Sequence, residues 1–182
     1  AADLLSQAEH DKMASAVLVT DSRELAQAVS REIENQLQTL EREEIARASI
    51  EQNGKIIVAR SLTQAAAVAN RIAPEHLELS VDDPFDYLGL IENAGSIFLG
   101  RYNPEPMGDY FAGPNHTLPT MGTARFYSPL SVDDFIKKSQ FSYYTRKALE
   151  RDYRKVSRFA KEEGLTAHAR AVDIRFEKEG ET

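Results

Sequence analysis

Short apolar runs alternate with segments of helical periodicity along this chain, and this alternation constrains the fold more than any other feature. Val17–Thr20, Ile56–Ala59 and Ser96–Leu99 are each a short, largely apolar run of the length of a buried strand. Leu77, Leu79 and Val81 alternate with polar residues, as in a half-buried strand. Strands that alternate with helices predict an α/β fold with a largely parallel sheet and helices against its faces.

The intervening segments carry helix start and stop signals. Asp21 with Glu24, and Ser61 with Gln64, have the spacing of capping boxes, and Pro74 ends the second of these helices. Short helices are also predicted over residues 2–10 and 84–90. The first long helix is predicted to bury one continuous apolar stripe made of Leu25, Val29, Ile33, Leu37 and Leu40.

Composition excludes several classes of protein. The net charge of -7, without a basic patch, argues against nucleic-acid binding. No apolar run approaches the ~18 residues that a membrane span requires. The chain has no cysteine, which excludes disulfides and thiol catalysis and is typical of a cytoplasmic protein. Because it lacks an initiator methionine and opens within a predicted helix, we expect a fragment of a longer protein.

The character of the sequence changes near residues 126–129. We therefore expect an α/β part over 1–125 and a mostly helical tail over 126–182. In the tail, Leu149, Tyr153, Val156 and Ala160 follow helical spacing, Gly164 breaks the helix and Thr166 opens another. This pattern is compatible with a tail that folds back and with one that reaches a partner subunit.

An acidic residue and a histidine stand side by side in Ala-Pro-Glu-His-Leu-Glu, residues 73–78. Glu75 and His76 could divide the roles of base and proton shuttle. Neighbours in a regular strand point to opposite faces, so both reach one substrate only at the irregular start of a strand. The alternative interpretation is a surface carboxylate beside a half-buried histidine.

A second run, residues 108–120, places Asp109 and His116 seven positions apart in a predicted loop rich in Gly and Pro. It is not a Walker phosphate loop, because Pro114 and Asn115 follow Gly113 where that motif requires Lys and Ser or Thr. A Gly-x-Gly-x-x-Gly fingerprint is also absent. A nicotinamide cofactor would have to be held by another route, or by residues outside this chain.

Polar residues near both ends of the chain could complete a metal site. Gln7 and His10 are three positions apart on the first predicted helix, so they share a face. With Asp109 and His168 they would form a nitrogen and oxygen donor set that suits zinc. The alternative for His168 is an exposed position on the helix that follows Gly164.

Four motifs occur in one chain: Ser-Gln-Ala-Glu-His at 6–10, the 73–78 run, residues 108–116, and Glu-Gly-Leu-x-Ala-His-Ala at 163–169. Together they closely resemble the C-terminal half of histidinol dehydrogenase, and the resemblance extends to about Ile174. It implies oxidation of L-histidinol to L-histidine through L-histidinal, with two NAD reduced, as the last step of histidine biosynthesis.

The resemblance also implies roles for individual residues. It makes Gln7, His10, Asp109 and His168 the ligands of one Zn²⁺. It makes Glu75 the residue that activates water and His76 the one that handles protons. The residues that would contact the substrate are Gln7, His10, His76, Asp109, His116, Glu163 and His168.

The family resemblance further implies an incomplete Rossmann-like sheet and a homodimer whose tails are exchanged between subunits. Because members carry an N-terminal half that supplies most contacts to NAD, we expect this chain alone to be inactive. Two alternatives remain open at this point. One is a paralogous NAD-dependent polyol or amino-alcohol dehydrogenase, and the other is an inactive dimerisation fragment.

Overall fold

A computed structural model describes residues 1–177 and divides into two compact units, Ala1–Ile136 and a unit that begins at Lys137. The sequence placed this boundary at 125/126. The first unit contains helices α1 (Ala2–Ala8), α2 (Arg23–Leu37), α3 (Glu43–Asn53), α4 (Leu62–Ile72), α5 (Pro84–Leu88) and α6 (Glu105–Tyr110), and strands β1 (Val17–Thr20), β2 (Lys55–Val58), β3 (His76–Leu79) and β4 (Ser96–Leu99). The second contains α7 (Arg146–Glu162) and α8 (Thr166–Asp173).

The four strands are parallel in pairs. β1 pairs with β2, with Val17 opposite Lys55, and β3 pairs with β4, with His76 opposite Ser96. Each pair is joined through helices, as parallel neighbours require. The predicted α/β class with parallel strands is therefore confirmed. Over residues 1–177 the strands form two separate two-stranded sheets rather than one.

The first long helix differs from the prediction at both ends. The Ser22 hydroxyl, not the Asp21 carboxylate, accepts the capping hydrogen bond from the Leu25 amide at 3.1 Å, because Ser22 holds the extended conformation of an N-cap. α2 then ends at Leu37, so Leu40 lies beyond it, and Leu25 is 47% exposed. The prediction of one buried apolar stripe is therefore wrong for Leu25, which is exposed, and for Leu40, which lies outside the helix.

The core of the first unit lies between α1, α2 and α3. Leu37 is fully buried there against α1 and α3, and the cluster is completed by Leu5, Ala8, Ile33 and Ala46. α3 was not predicted, because its buried positions are the small residues Ala46 and Ser49 rather than large apolar ones. Burial of Leu5 and Ala8 anchors α1, the helix that carries the predicted site residue Gln7.

The junction between α4 and β3 sets the position of the acid–histidine pair. Ser61 caps α4 by accepting from the Gln64 amide at 3.2 Å, as predicted, although Gln64 Oε1 accepts from the Arg60 amide rather than from that of Ser61. Ala73 ends the helix in the left-handed conformation, with φ at 53°. The chain then leaves through Pro74 and enters β3 at His76.

The second unit is a pair of packed helices. Gly164, with φ at 75°, separates α7 from α8 as the sequence predicted, because glycine adopts this conformation without a Cβ clash. The Ser157 hydroxyl donates to Asp173 Oδ2 at 2.8 Å across the pair. The rings of Tyr153 and Phe176 stack with centroids 4.4 Å apart. Among helices of the described residues, none is long and apolar enough to cross a membrane.

Candidate active site

His76 lies at the centre of a cluster of polar side chains in the first unit. Its imidazole is 14% exposed. Nδ1 lies 3.3 Å from Gln7 Oε1, while Nε2 lies 3.7 Å from Glu105 Oε1 and 3.9 Å from Glu75 Oε1. Glu75 precedes the first residue of β3, so the pair occupies the start of the strand, where both side chains reach one cluster.

The helix α6 brings two carboxyl groups to this cluster. Glu105 and Asp109 are four positions apart and therefore lie on one face of the helix. α6 packs closely on β4, since a Cβ at Gly108 would lie 2.5 Å from Phe98 Cε1. Asp109 was predicted in a loop, and this is wrong: it is helical, because prolines at the N-terminus start a helix.

The loop after α6 returns His116 to Asp109. His116 Nδ1 lies 2.5 Å from Asp109 Oδ1, with the Asp109 side chain 11% exposed and that of His116 61% exposed. His76, Asp109 and His116 together offer ligand atoms that all lie within 4.8 Å of one another. This group could hold a metal ion, and it shares Asp109 with the ligand set predicted from the sequence.

Gln7 and His10 do not lie on one helix. α1 ends at Ala8, and His10 follows it in a turn whose amide donates to the Gln7 carbonyl at 3.3 Å. The predicted shared helix face is therefore wrong for His10, which is exposed. Gln7 contacts His76 directly, and His10 is near enough for its charge to lower the pKa of His76.

Glu163 and His168 belong to the second unit. Glu163 is the C-cap residue of α7, and His168 lies on α8 with an exposed side chain. The two residues line one hollow together with Phe159 and Leu165. The helical pair therefore brings together the two tail residues that the sequence singled out.

Burial dominates the electrostatics of the cluster. It lowers the pKa of His76, and the negative charges of Glu75 and Asp109 oppose this effect. Burial, and after it the neighbouring Asp109 carboxyl group, raises the pKa of Glu105 to about 7. Glu78, whose carboxylate accepts from the Glu105 amide at 2.8 Å, likewise has its pKa raised by burial.

The profile of the family described as Histidinol dehydrogenase matches residues 1–176. The chain belongs to the histidinol dehydrogenase family. The resemblance inferred from the four motifs is therefore confirmed, and the match falls in the C-terminal part of the relatives.

Members of the histidinol dehydrogenase family are similar along the whole chain. The histidinol dehydrogenase of Bacillus cereus is 59% identical over 179 residues, which cover 98% of this chain and 42% of that protein. That of Geobacter metallireducens is also 59% identical, over 181 residues and 42% of its length. A crystal structure of histidinol dehydrogenase from Elizabethkingia anophelis superposes with a TM-score of 0.84 at 42% identity, over 96% of this chain and 40% of that one. The chain thus spans about two fifths of its relatives' length.

Two carboxyl groups of the cluster were missed by sequence reasoning. Glu105 precedes Asp109 by one helical turn, and the prolines at 104 and 106 mark a helix N-terminus. The sequence therefore contained enough to predict α6 and to place Glu105 and Asp109 on one face of it. Glu78 lies within the 73–78 run, where no local pattern distinguishes it as a member of the cluster. Its contact with the Glu105 amide joins segments 27 residues apart, for which local patterns carry no signal.

The raised pKa of Glu105 predicts that the difference in stability between the wild type and Glu105→Gln depends on pH. Because its pKa rises from 4.5 to about 7 on folding, the folded chain binds this proton more tightly than the unfolded chain between those values. The contribution of Glu105 to the free energy of unfolding therefore falls as pH rises through this range. Glu105→Gln removes the dependence. We expect the unfolding free energy of the wild type, minus that of the variant, to be smaller at about pH 8 than at about pH 5.

Urea unfolding of both proteins at the two pH values, with a metal chelator present, measures this difference. Titrating groups that do not contact Glu105 contribute equally to both proteins and cancel in the subtraction, so the remaining pH dependence belongs to Glu105 and its direct neighbours. A difference that stays constant between the two pH values would contradict the prediction.

Proposed function

We propose that this chain carries the zinc-binding and acid–base part of an enzyme that oxidises L-histidinol to L-histidine through L-histidinal, reducing two NAD. Membership of the family supports the reaction class. The observation that carries the proposal for this chain is the convergence of Gln7, Glu75 and Asp109 on His76. An acid, a base and oxygen and nitrogen donors in one cluster are what a metal-assisted oxidation of an alcohol requires.

The donors present fit zinc. Imidazole nitrogens with carboxylate and amide oxygens are ligand types that Zn²⁺ accepts, and His76, Asp109 and His116 offer such atoms within 4.8 Å of one another. Gln7, His10, Asp109 and His168 would hold the ion. Bound there, Zn²⁺ would orient the amino and imidazole groups of the substrate, a templating role.

The acid–base work falls to the 73–78 segment. His76, whose pKa burial lowers, is available as a neutral base that takes the hydroxyl proton of the alcohol. Glu75 takes a proton from the water that adds to the aldehyde, which gives a hydrate without any thiol. This route suits a chain that contains no cysteine. NAD, when bound, would accept the hydride that is removed in each oxidation.

The remaining parts of the proposal concern assembly. Most NAD contacts would come from residues outside this chain, so the chain alone would be inactive. His116, Glu163 and His168 would contact the substrate, the last two through an exchange of tails within a homodimer. We place the assembled enzyme in the cytoplasm.

Substrate binding tests this function without requiring turnover. We expect the zinc-loaded 182-residue chain to bind L-histidinol at least ~10-fold more tightly than leucinol, because leucinol has no imidazole to contact the metal. A tenfold difference corresponds to about 1.4 kcal/mol. Isothermal titration calorimetry measures both affinities. We expect a chelator to abolish the preference, and His168→Ala to weaken it.

The alternatives predict other outcomes. Equal affinity for both amino alcohols would favour a paralogous dehydrogenase of polyols or amino alcohols. Association of chains without zinc, and no binding of either alcohol, would favour a dimerisation fragment. Arg170→Ala, on the same helix as His168, serves as the control for the histidine variant.

A further inference from the structure

We propose that Glu105 is a positioning residue, whose carboxyl group orients both the His76 imidazole and the Asp109 carboxylate. The inference deepens the proposed function and rests on it for the roles of those two side chains. None of the four sequence motifs contains Glu105. Its assignment comes from the tertiary arrangement of α6 against β3.

Glu105 is itself held firmly in place. It is the first residue of α6, after Pro104, which holds an extended backbone conformation. Its backbone amide donates to Glu78 Oε1 at 2.8 Å, which ties the N-terminus of the helix to the neighbouring strand. The Glu105 side chain is therefore presented from a fixed backbone position, as a group that orients other side chains requires.

From this position the carboxyl group reaches two functional side chains. Glu105 Oε1 lies 3.7 Å from His76 Nε2. Asp109 lies one helical turn later on the same face of α6, where its carboxyl group is near enough to raise the pKa of Glu105. The Glu105 side chain is 13% exposed. It is thus a buried bridge between the proposed proton-handling imidazole and a proposed metal ligand.

The two facing atoms also lack other partners. Within residues 1–177, Glu105 Oε1 and His76 Nε2 are both buried without a hydrogen bond, and buried polar atoms in folded proteins are normally paired. Each of the two atoms therefore has the other as its nearest candidate partner, at 3.7 Å. Glu75 is a poorer orienting group, because it is farther from Nε2, at 3.9 Å, and 30% exposed.

A buried carboxyl that faces a histidine fixes the tautomer and the orientation of the ring, and one that contacts a ligating carboxylate fixes where that ligand points. Glu105 would act on both sides of the site in this way. A purely structural role, in contrast, would change stability without changing the state of the His76 ring.

Imidazole ¹⁵N spectra of the full 182-residue chain, recorded with a chelator present, test the inference. The chain has four histidines, so each ring can be assigned by single substitutions. In the wild type we expect His76 to show two well-separated ring nitrogens, as in a single tautomer, and the exposed His168 to show averaged ones. In Glu105→Gln we expect the His76 nitrogens to move, while those of His168 stay unchanged.

Zinc affinity provides the second readout. Loss of a group that orients a metal ligand lowers affinity by about 10–100-fold, and we expect Glu105→Gln to do so in calorimetric titrations with Zn²⁺. Glu92→Gln, at an exposed residue of the same unit, removes the same charge and is expected to change neither readout. Glu105→Asp keeps a carboxyl group at this position. We therefore expect its His76 ring nitrogens to resonate between the positions seen in the wild type and in Glu105→Gln.

The outcomes separate this inference from the proposed function. A His76 spectrum that is averaged in the wild type, or unchanged in Glu105→Gln, overturns the inference. If Glu105→Gln does not fold, Glu105→Asp decides instead, because its shorter side chain moves the carboxyl group away from His76 Nε2, and an unchanged His76 spectrum in that variant overturns the inference as well. An unchanged zinc affinity overturns its Asp109 half. Absence of zinc binding in the wild type would instead count against the proposed function, and the His76 spectra would still decide the role of Glu105.

Discussion

Asp109→Asn is expected to lower the affinity of the chain for Zn²⁺ by at least ~100-fold, since loss of a group that only orients a ligand already costs about 10–100-fold. The Asp109 carboxylate is nearly buried, at 11% exposure, and lies between the His116 imidazole and the Glu105 carboxyl group. Asparagine keeps the size of the side chain but removes the negative charge that offsets a bound cation. Calorimetric titration with Zn²⁺ at constant pH measures the change.

Asp86→Asn is the matched control. Asp86 is exposed on α5 of the same unit, so the variant has the same net charge as Asp109→Asn and leaves the cluster intact. We expect its zinc affinity to equal that of the wild type. Equal affinities for all three proteins would remove Asp109 from the ligand set.

Gly95→Ala is expected to destabilise the chain by about 1–3 kcal/mol, the usual cost of inserting a methyl group into a closely packed site. A Cβ at this position would lie 2.5 Å from the Glu75 carbonyl oxygen and 3.2 Å from Pro119 Cδ. The first of these neighbours is backbone, and it also accepts the Ser96 amide at 2.8 Å in the β3–β4 pairing. The added methyl group therefore has to displace Glu75 itself.

The same displacement is expected to weaken zinc-dependent binding of L-histidinol, because His76 follows Glu75 directly. Urea unfolding measures the loss of stability, and calorimetry measures the binding. Gly89→Ala is the control: a Cβ there meets nothing within 4 Å, and φ is -67°, so alanine fits. If Gly95→Ala unfolds at the same urea concentration as Gly89→Ala, the close approach at Gly95 is not a constraint.

Much of the secondary structure could be predicted because its causes are local. Val17–Thr20 and Ser96–Leu99 are strands with the predicted bounds, since each is a short and largely apolar run between turns. Ser61 caps α4 and Gly164 separates the tail helices, because a cap or a left-handed residue depends on a few neighbouring residues. The family was likewise recognisable from short motifs within the sequence.

The errors arose where local patterns compete with packing. α3 buries Ala46 and Ser49 rather than large apolar residues, so its periodicity is weak, and it forms because a fully buried Leu37 packs against it. α1 ends at Ala8 and leaves His10 in a turn. Helix ends depend on what the terminal turn packs against, and sequence periodicity alone locates them poorly.

The amino-acid sequence by itself determined the α/β class, the family, and the acid–histidine pair at the start of β3. Only the tertiary structure showed that Glu105 faces His76, that Glu78 accepts the amide of Glu105, and that His116 returns to Asp109. The physical reason is that strand and cap preferences act between near neighbours in sequence. The burial and the partners of a carboxyl group depend on segments that meet only after the chain has folded.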